Sequence, residues 1–340
     1  MPTSPASDPP DADQTALLAH AVAAAAAEGL PLRIVGGNTR ATYGRPGAGE
    51  LFDVSGHRGV VAYDPSELVI TVRAGTPVAQ VEALLDAQGQ MLAFEPPSFG
   101  PAGTIGGMVA AGLSGPRRPF AGALRDYVLG AKILDGRGQV LNFGGTVFKN
   151  VAGFDAFRLM AGALGCLGVI LEVSLRVAPK PRAEAAMVID SADAPARRWV
   201  ARLMGRPTPI SGAFHDGERL HVRLSGGEAA VAAAVRELGG EAEPVAAWSH
   251  IRHLTHPALA GDSLWRLSLP AGIEPQGLPE GRVAWDWGGA QVWLAGDPPS
   301  AEVFAAAERL GGHASRFRGA GDQREAVGFD GDFFLGADVQ

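Results

Sequence analysis

The chain is poor in several things, and each shortage excludes a class of protein. It has one cysteine, Cys166, in 340 residues. That rules out an intramolecular disulfide framework, a four-cysteine iron–sulfur cluster and a zinc ribbon built by this chain alone. Lysine occurs three times, at Lys132, Lys149 and Lys180, and the net charge is -7, so no nucleic-acid partner is expected. The longest apolar runs are alanine-rich and shorter than a membrane span. The opening "MPTSPASDPPDADQ" has no charged-then-apolar signal pattern. The expected location is cytoplasmic, with any attachment to the inner face of the membrane made through partners. Also missing are G-x-G-x-x-G, a P-loop, H-E-x-x-H and G-x-S-x-G, which removes the Rossmann fingerprint and the common hydrolase motifs.

What is present is a globular composition. Hydrophobic residues make up 46% and charged residues 19%, enough for a sizeable core. Residues 1–13 read as a disordered leader. "QTALLAHAVAAAAAEG" reads as a helix stopped by Gly29. In "ELVITVRAGTPVAQVEALLDAQG" a strand over 68–73 leads to a helix with Thr76 as its cap and Pro77 at its first position; Val78, Val81, Leu84 and Leu85 share one face. Residues 127–143 form a hairpin about "DGRG", and 169–177 alternate as a strand. At "APKPR", 178–182, the composition changes: all three tyrosines lie before it and all six tryptophans after it. A domain boundary belongs there. Beyond it come a strand (187–190), a helix (195–205), a hairpin about "HDGER", a helix (228–238), strands at 264–269, 282–287 and 291–295, and a helix at 300–310. That is an α+β pattern on an antiparallel sheet.

Three separate segments are rich in small residues: "GGNT" (36–39), "PPSFGPAGTIGGMVAAGLSGPRR" (96–118) and "KNVAGFDAFRLMAGALGCLGVILE" (149–172). Glycine permits positive φ and lets backbone N–H groups approach an anion. Three such segments, each beside a strand or helix, suggest a nucleotide-sized ligand lying across backbone.

Together and in this order, the three segments resemble the FAD-binding domain of the vanillyl-alcohol oxidase-like flavoproteins, the PCMH-type fold. More specifically, "GGNTR", "FGPAGTIGGMVAAGLSGPRRPFAGALRDYVLG", "GGTVFKNVAGFD", "LWRLSLP", "DWGGAQVWL" and "GHASRF" resemble the FAD-binding subunits of multi-subunit glycolate oxidases. The fold the resemblance implies is α+β. A two-subdomain FAD-binding domain over 14–181 is followed by a smaller cap-like antiparallel-sheet domain over 182–317 and an atypical tail, 318–340. It also implies oxidation of 2-hydroxy acids such as glycolate and D-lactate, with a homologous larger flavin subunit and an iron–sulfur subunit as partners. The implied FAD contacts are Gly36, Gly37, Asn38 and Thr39 in the first segment. In the second they are Pro97, Gly103, Thr104, Ile105, Gly106, Gly107, Gly112 and Ser114, and in the third Gly165, Gly168, Val169 and Ile170.

The chain departs from the wider family at informative places. Asn38 stands where many relatives carry a flavin-linking histidine, and the second segment has no cysteine, so FAD is expected to be non-covalent. The third segment lacks the Ser, Glu and Thr of the common G-S-E-G-T-L-G pattern. No catalytic base is evident. His313 is the candidate nearest a shared motif, with a structural role as the competing reading. Arg117 and Arg118 are candidates to clamp a substrate carboxylate, or else a solvated or partner-contacting pair. His250, His253 and His256 read as surface or core histidines rather than a metal site, so no metal is expected. Trp285 and Trp287 read as one face of a half-buried strand, and Cys166 as a small packed residue. A non-catalytic subunit of the same complex, and a stand-alone flavoenzyme of other chemistry, remain as alternatives.

Overall fold

A computed structural model of the chain describes residues 11–41, 43, 48–145 and 155–319. Most of the expected leader, the 146–154 part of the third segment and all but the start of the tail lie outside the described residues. In chain order the elements up to residue 179 are α1 (Thr15–Glu28), β1 (Leu32–Val35), β2 (Glu50–Asp53), β3 (Val60–Asp64), β4 (Val69–Arg73), α2 (Val78–Asp86), β5 (Gln90–Met91), α3 (Ile105–Ala111), α4 (Arg118–Ala121), α5 (Leu124–Tyr127), β6 (Val128–Leu134), β7 (Val140–Gly144), α6 (Ala156–Leu159), β8 (Val169–Arg176) and β9 (Ala178–Pro179). The rest are β10 (Ala183–Asp190), α7 (Asp193–Met204), β11 (Ile210–His215), β12 (Arg219–Gly226), α8 (Glu228–Leu238), β13 (Glu241–Glu243), α9 (Trp248–Arg252), β14 (Leu264–Ser268), β15 (Arg282–Asp286), β16 (Gln291–Ala295), α10 (Ser300–Arg309) and β17 (His313–Arg318).

The contacts divide into two units. The first takes most of the chain to Lys180; the second takes the chain from Pro181 on and also Gly115–Ala121. In the first unit β1 and β2 form a parallel pair. Leu18 and Val22 of α1 pack on Phe52, Val54, Val169 and Leu171. Gly29 ends α1 in the left-handed region, φ 67, with its N–H returning to Ala25 and Ala26, the role glycine fills best there. A five-stranded sheet runs β3-β4-β8-β6-β7, antiparallel throughout. Its middle strand β8 is buried on both faces, with Leu171, Val173 and Leu175 fully inaccessible. The β6–β7 hairpin closes as its sequence predicts: the Asp135 carboxylate accepts from the Arg137 and Gln139 amides.

The start of α2 differs from expectation. Pro77, not Thr76, is the N-cap, and no side chain caps the helix. The Thr76 hydroxyl instead accepts from the Gly59 amide at 2.8 Å, pinning the β3–β4 region. The first helical amide, of Val78, donates to Gly103 O, so the second glycine segment caps α2.

The second unit is built on an eight-stranded sheet, β13-β10-β12-β11-β15-β16-β14-β17. Its β10 begins at Ala183, four residues before the strand read from the sequence, and its edge strand β17 was not read at all. One face carries Trp265, Leu267, Trp285, Val292 and Ala314 into a core with α7, α8 and α10. Trp285 and Trp287 do not share a face. Trp285 is buried in that core, whereas β15 ends at Asp286 and Trp287 turns out at φ 53. The histidine triplet is not helical either, since α9 stops at Arg252 and His256 caps a short 3-10 turn over Pro257–Leu259.

Candidate functional site

In the first unit the glycine segments converge on α3. Gly36 and Gly37 leave β1 directly against the second segment. A Cβ on Gly36 would lie 2.4 Å from Thr104 Oγ1, and one on Gly37 would lie 1.5 Å from Ala102 O. Only glycine allows this approach. Thr104 caps α3, its hydroxyl accepting from Gly107 N. The Ile105 and Gly106 amides are bonded to Thr76 O and Ala74 O. Gly106 is small because Ala74 lies against it, 2.7 Å from where a Cβ would be. At the other end of α3, Gly112 (φ 64) lets the third segment close in, with Gly162 N donating to Val109 O and Leu164 N to Ala110 O. Gly165 then approaches Ile34, two residues before Gly36.

The first segment is the one with capacity left over. The amides of Gly36, Gly37, Asn38, Thr39 and Arg40 have no acceptor among the described residues. Asn38 sits in the left-handed region at φ 51, the kind of backbone turn that gathers successive N–H groups into an anion-binding nest. Arg40 adds a cation that sequence reasoning passed over. Its Nη2 donates to Pro97 O at 2.7 Å and its guanidinium lies over Phe99, 5.2 Å from the ring centre. Its buried Nε has no partner among the described residues. Burial, with no carboxylate beside it, lowers its pKa to about 10.

The remaining sequence candidates are placed as follows. Ser114 accepts from Leu124 N at 3.0 Å. Ile105, Val169 and Ile170 are buried, Val169 within the α1 core. Gly168 (φ 129) lies against Leu134 O. Cys166 is exposed, contrary to the packed role expected of it. It lines a cleft of about 330 Å³ with Val22, Leu32, Ile34 and Gly165, because the segment passes beside the second half of α1 before Val169 enters the core. In the second unit Arg117 pairs with Glu184 at 2.7 Å and Arg118 lies over the Trp287 ring at 4.3 Å. His313 is exposed at the start of β17, opposite Ser268.

Two further clusters were not legible in advance. Asp286, Gln291, Ser268 and His313 stand opposite one another across four strands. Asp286 is buried and accepts from Gln291 Nε2 at 2.8 Å; burial raises its carboxyl to about 7. Separately, His221 lies between Glu243 (3.0 Å) and Asp216 (3.3 Å), with His256 edge-on to it. Burial acts to lower the His221 pKa, but the two carboxylates hold it above 6.5. Asp216, His221 and His256 come close enough to hold a metal ion. The hydrogen bonds favour protons. Both His221 nitrogens face carboxylates, and His256 Nδ1 accepts from Ala258 N, which leaves the proton on Nε2.

Comparison with known proteins names the ligand class. The family described as "FAD binding domain" matches residues 12–144. Glycolate oxidase subunit GlcE of Escherichia coli K12 is 46% identical over 314 residues, spanning 92% of this chain and 89% of that protein. The chain belongs to the GlcE family of glycolate oxidase subunits. GlcE-family likeness extends more weakly to a D-lactate dehydrogenase of Anaerostipes hadrus, 30% identical over 42% of this chain and only 30% of that protein. Among solved structures, alkyldihydroxyacetonephosphate synthase superposes with TM-score 0.65 at 14% identity, over 87% of this chain and 69% of that one; this likeness is one of fold. FAD is the cofactor of the GlcE-family domain. The residues present fit it: the unfilled amide nest and the unpaired Arg40 suit a diphosphate, and the Gly37–Ala102 contact keeps the nest at the second segment.

Proposed function

We propose that the chain is the FAD-carrying subunit of a complex that oxidises 2-hydroxy acids such as glycolate and D-lactate. A homologous larger flavin subunit and an iron–sulfur subunit receive or share the electrons, and the assembly sits in the cytoplasm or at the inner face of the membrane. The observation that carries this reading is the GlcE-family identity over nearly the whole of both chains, joined to a first segment whose amides await an anion. The amides of residues 36–40 and Arg40 hold the diphosphate, and Gly103 and Gly107 leave room beside it. Bound FAD supplies the acceptor for the pair of electrons leaving the substrate carbon. Asn38, unable to form the histidyl bond, leaves the cofactor dissociable.

The test is co-expression with genomic neighbours encoding a second flavin subunit and a cysteine-rich protein. Glycolate-dependent dye reduction is then measured with and without this chain, and the FAD released by acid precipitation is counted. Full activity without this chain, or a chain that carries no flavin, would refute the reading. Flavin remaining on the precipitated polypeptide would refute the non-covalent mode.

One observation favours a second reading, in which the chain binds FAD while the larger subunit oxidises the substrate. Arg117 and Arg118 are engaged by Glu184 and Trp287, and His313 is exposed at the start of β17. Gly107→Leu separates the two readings. A Cβ there meets only Thr104 Oγ1 at 3.3 Å and Arg40 Nη1 at 3.7 Å, so the larger side chain fills the nest without breaking the fold. If flavin is lost and the complex still oxidises glycolate, the chain is not the catalytic subunit.

A further inference from the structure

An arginine held away from water without a counter-ion is unusual, because desolvating a charge is costly unless something compensates it. Arg40 is half-buried with its Nε fully enclosed, and no acid is paired with it among the described residues. Its described contacts are one carbonyl, Pro97 O, and the face of Phe99. Neither neutralises it, and its inward Nε has no acceptor among the described residues. Three buried guanidiniums are answered by acids, Arg117 by Glu184, Arg197 by Asp193 and Arg316 by Asp297, whereas Arg223 is held by Ser211 and the Trp248 ring. Geometry says where the missing anion goes. Arg40 closes the run of five amides that lack acceptors among the described residues. Its Nη1 lies 3.7 Å from where a Cβ of Gly107 would be and 4.0 Å from that of Gly103. The guanidinium therefore borders the same space as the amides, held there by the carbonyl and ring of the second segment.

We propose that Arg40 is the counter-cation of the FAD diphosphate, pairing through its fork with phosphate oxygens that the 36–40 amides hold from the other side. The proposal rests on the FAD reading. In the empty protein the guanidinium is a destabilising charge, and the diphosphate relieves it. Arg40 is thus a binding residue whose cost is carried by the apo-protein and recovered on loading.

The experiment compares the full chain as wild type, Arg40→Met and Arg40→Lys. It measures the melting temperature of the FAD-stripped protein, and FAD and ADP affinity at two salt concentrations. Methionine keeps the length and removes the charge, so the stripped R40M protein melts at or above the wild-type temperature. Its FAD and ADP affinities fall by about 10- to 100-fold, the loss expected for a charged hydrogen-bonded contact. Their salt dependence shrinks, and R40K recovers part of the affinity. If R40M binds FAD and ADP as wild type does, the pairing is wrong while the FAD assignment stands. If stripped R40M melts lower and R40K rescues nothing, Arg40 is only a prop for Pro97 and the proposal fails. If the wild-type chain takes up neither FAD nor ADP, the FAD reading fails and the proposal falls with it.

Discussion

Asp286→Asn should stabilise the second unit at neutral and alkaline pH. Asp286 is 3% exposed and Gln291 Nε2 donates to it; Gln291, Arg266 and the Trp293 indole act on it more weakly than burial does. Burial moves the carboxyl from 3.8 to about 7. At ~1.4 kcal/mol per factor of ten, that difference corresponds to about 4 kcal/mol. Below pH 3.8 both folded and unfolded chains hold the proton, and the favourable neutral form is fully present. Between 3.8 and about 7 the unfolded chain gives up its proton first, so stability declines, and the loss is complete once pH has risen through the folded value. Asparagine imitates the neutral acid at every pH and still accepts from Gln291. At pH 8 the variant should therefore be about 2–4 kcal/mol more stable than wild type, and near pH 4 the two should coincide. Urea titration followed by tryptophan fluorescence reports the right unit, because all six tryptophans lie after Arg182. A variant less stable than wild type at pH 8 would refute the reasoning. It would mean that Arg266 holds the carboxylate charged in the folded protein.

Three other outcomes follow from the same structure. In an NMR titration His221 should protonate above 6.5 and His256 below it, since carboxylates face the first while burial and the charge of His221 act on the second. His221→Gln should then lose about 1–3 kcal/mol of stability below pH 6.5, a loss that fades as pH rises through the folded His221 value. Equal midpoints for the two histidines would contradict this. Glu184→Gln removes the charge of the acid that pairs at 2.7 Å with the Arg117 guanidinium, itself 10% exposed. The expected cost is about 1–3 kcal/mol in denaturant titration, less than for a fully buried pair because Glu184 is partly solvated. An unchanged midpoint would show the pair to be idle. Cys166, exposed at its cleft, should react with a thiol reagent in the folded protein at one equivalent. A requirement for denaturant would place it in the core after all.

The elements most legible in the sequence were those set by local chemistry. Gly29 stops α1, Asp135 closes the β6–β7 hairpin, and the alternation over 169–177 gives β8. These depend on neighbours within a few residues. Thr76 misled because its hydroxyl had a competing distant partner in Gly59, and propensity says nothing of such competition. Trp287 misled because alternation runs past the end of a strand when the next residue turns to φ 53. β17 was missed because "HASRFR" has little apolar content until it pairs with β14. In the candidate site, the glycines announced close approach but not its cause. Gly37 is small for Ala102 and Gly106 for Ala74, while free amides occur at residues 36–40. Arg40 had a signal, a basic residue directly after a glycine turn, whereas Asp286 and the His221 cluster depend on burial that only tertiary structure supplies.

The path of the backbone through Gly115–Ala121 has a consequence for synthesis and inheritance. This short stretch belongs with residues made much later. Arg117 awaits Glu184, Phe120 joins the core beneath Trp265 and Trp285, and Gly115 O receives the Trp287 indole. On the ribosome it emerges with its apolar and charged groups unanswered until at least residue 287 has followed. A gene break near codon 182 would yield a second half with an unfilled place in its core. The two units are not modules along the gene, and they should be gained, lost and exchanged together.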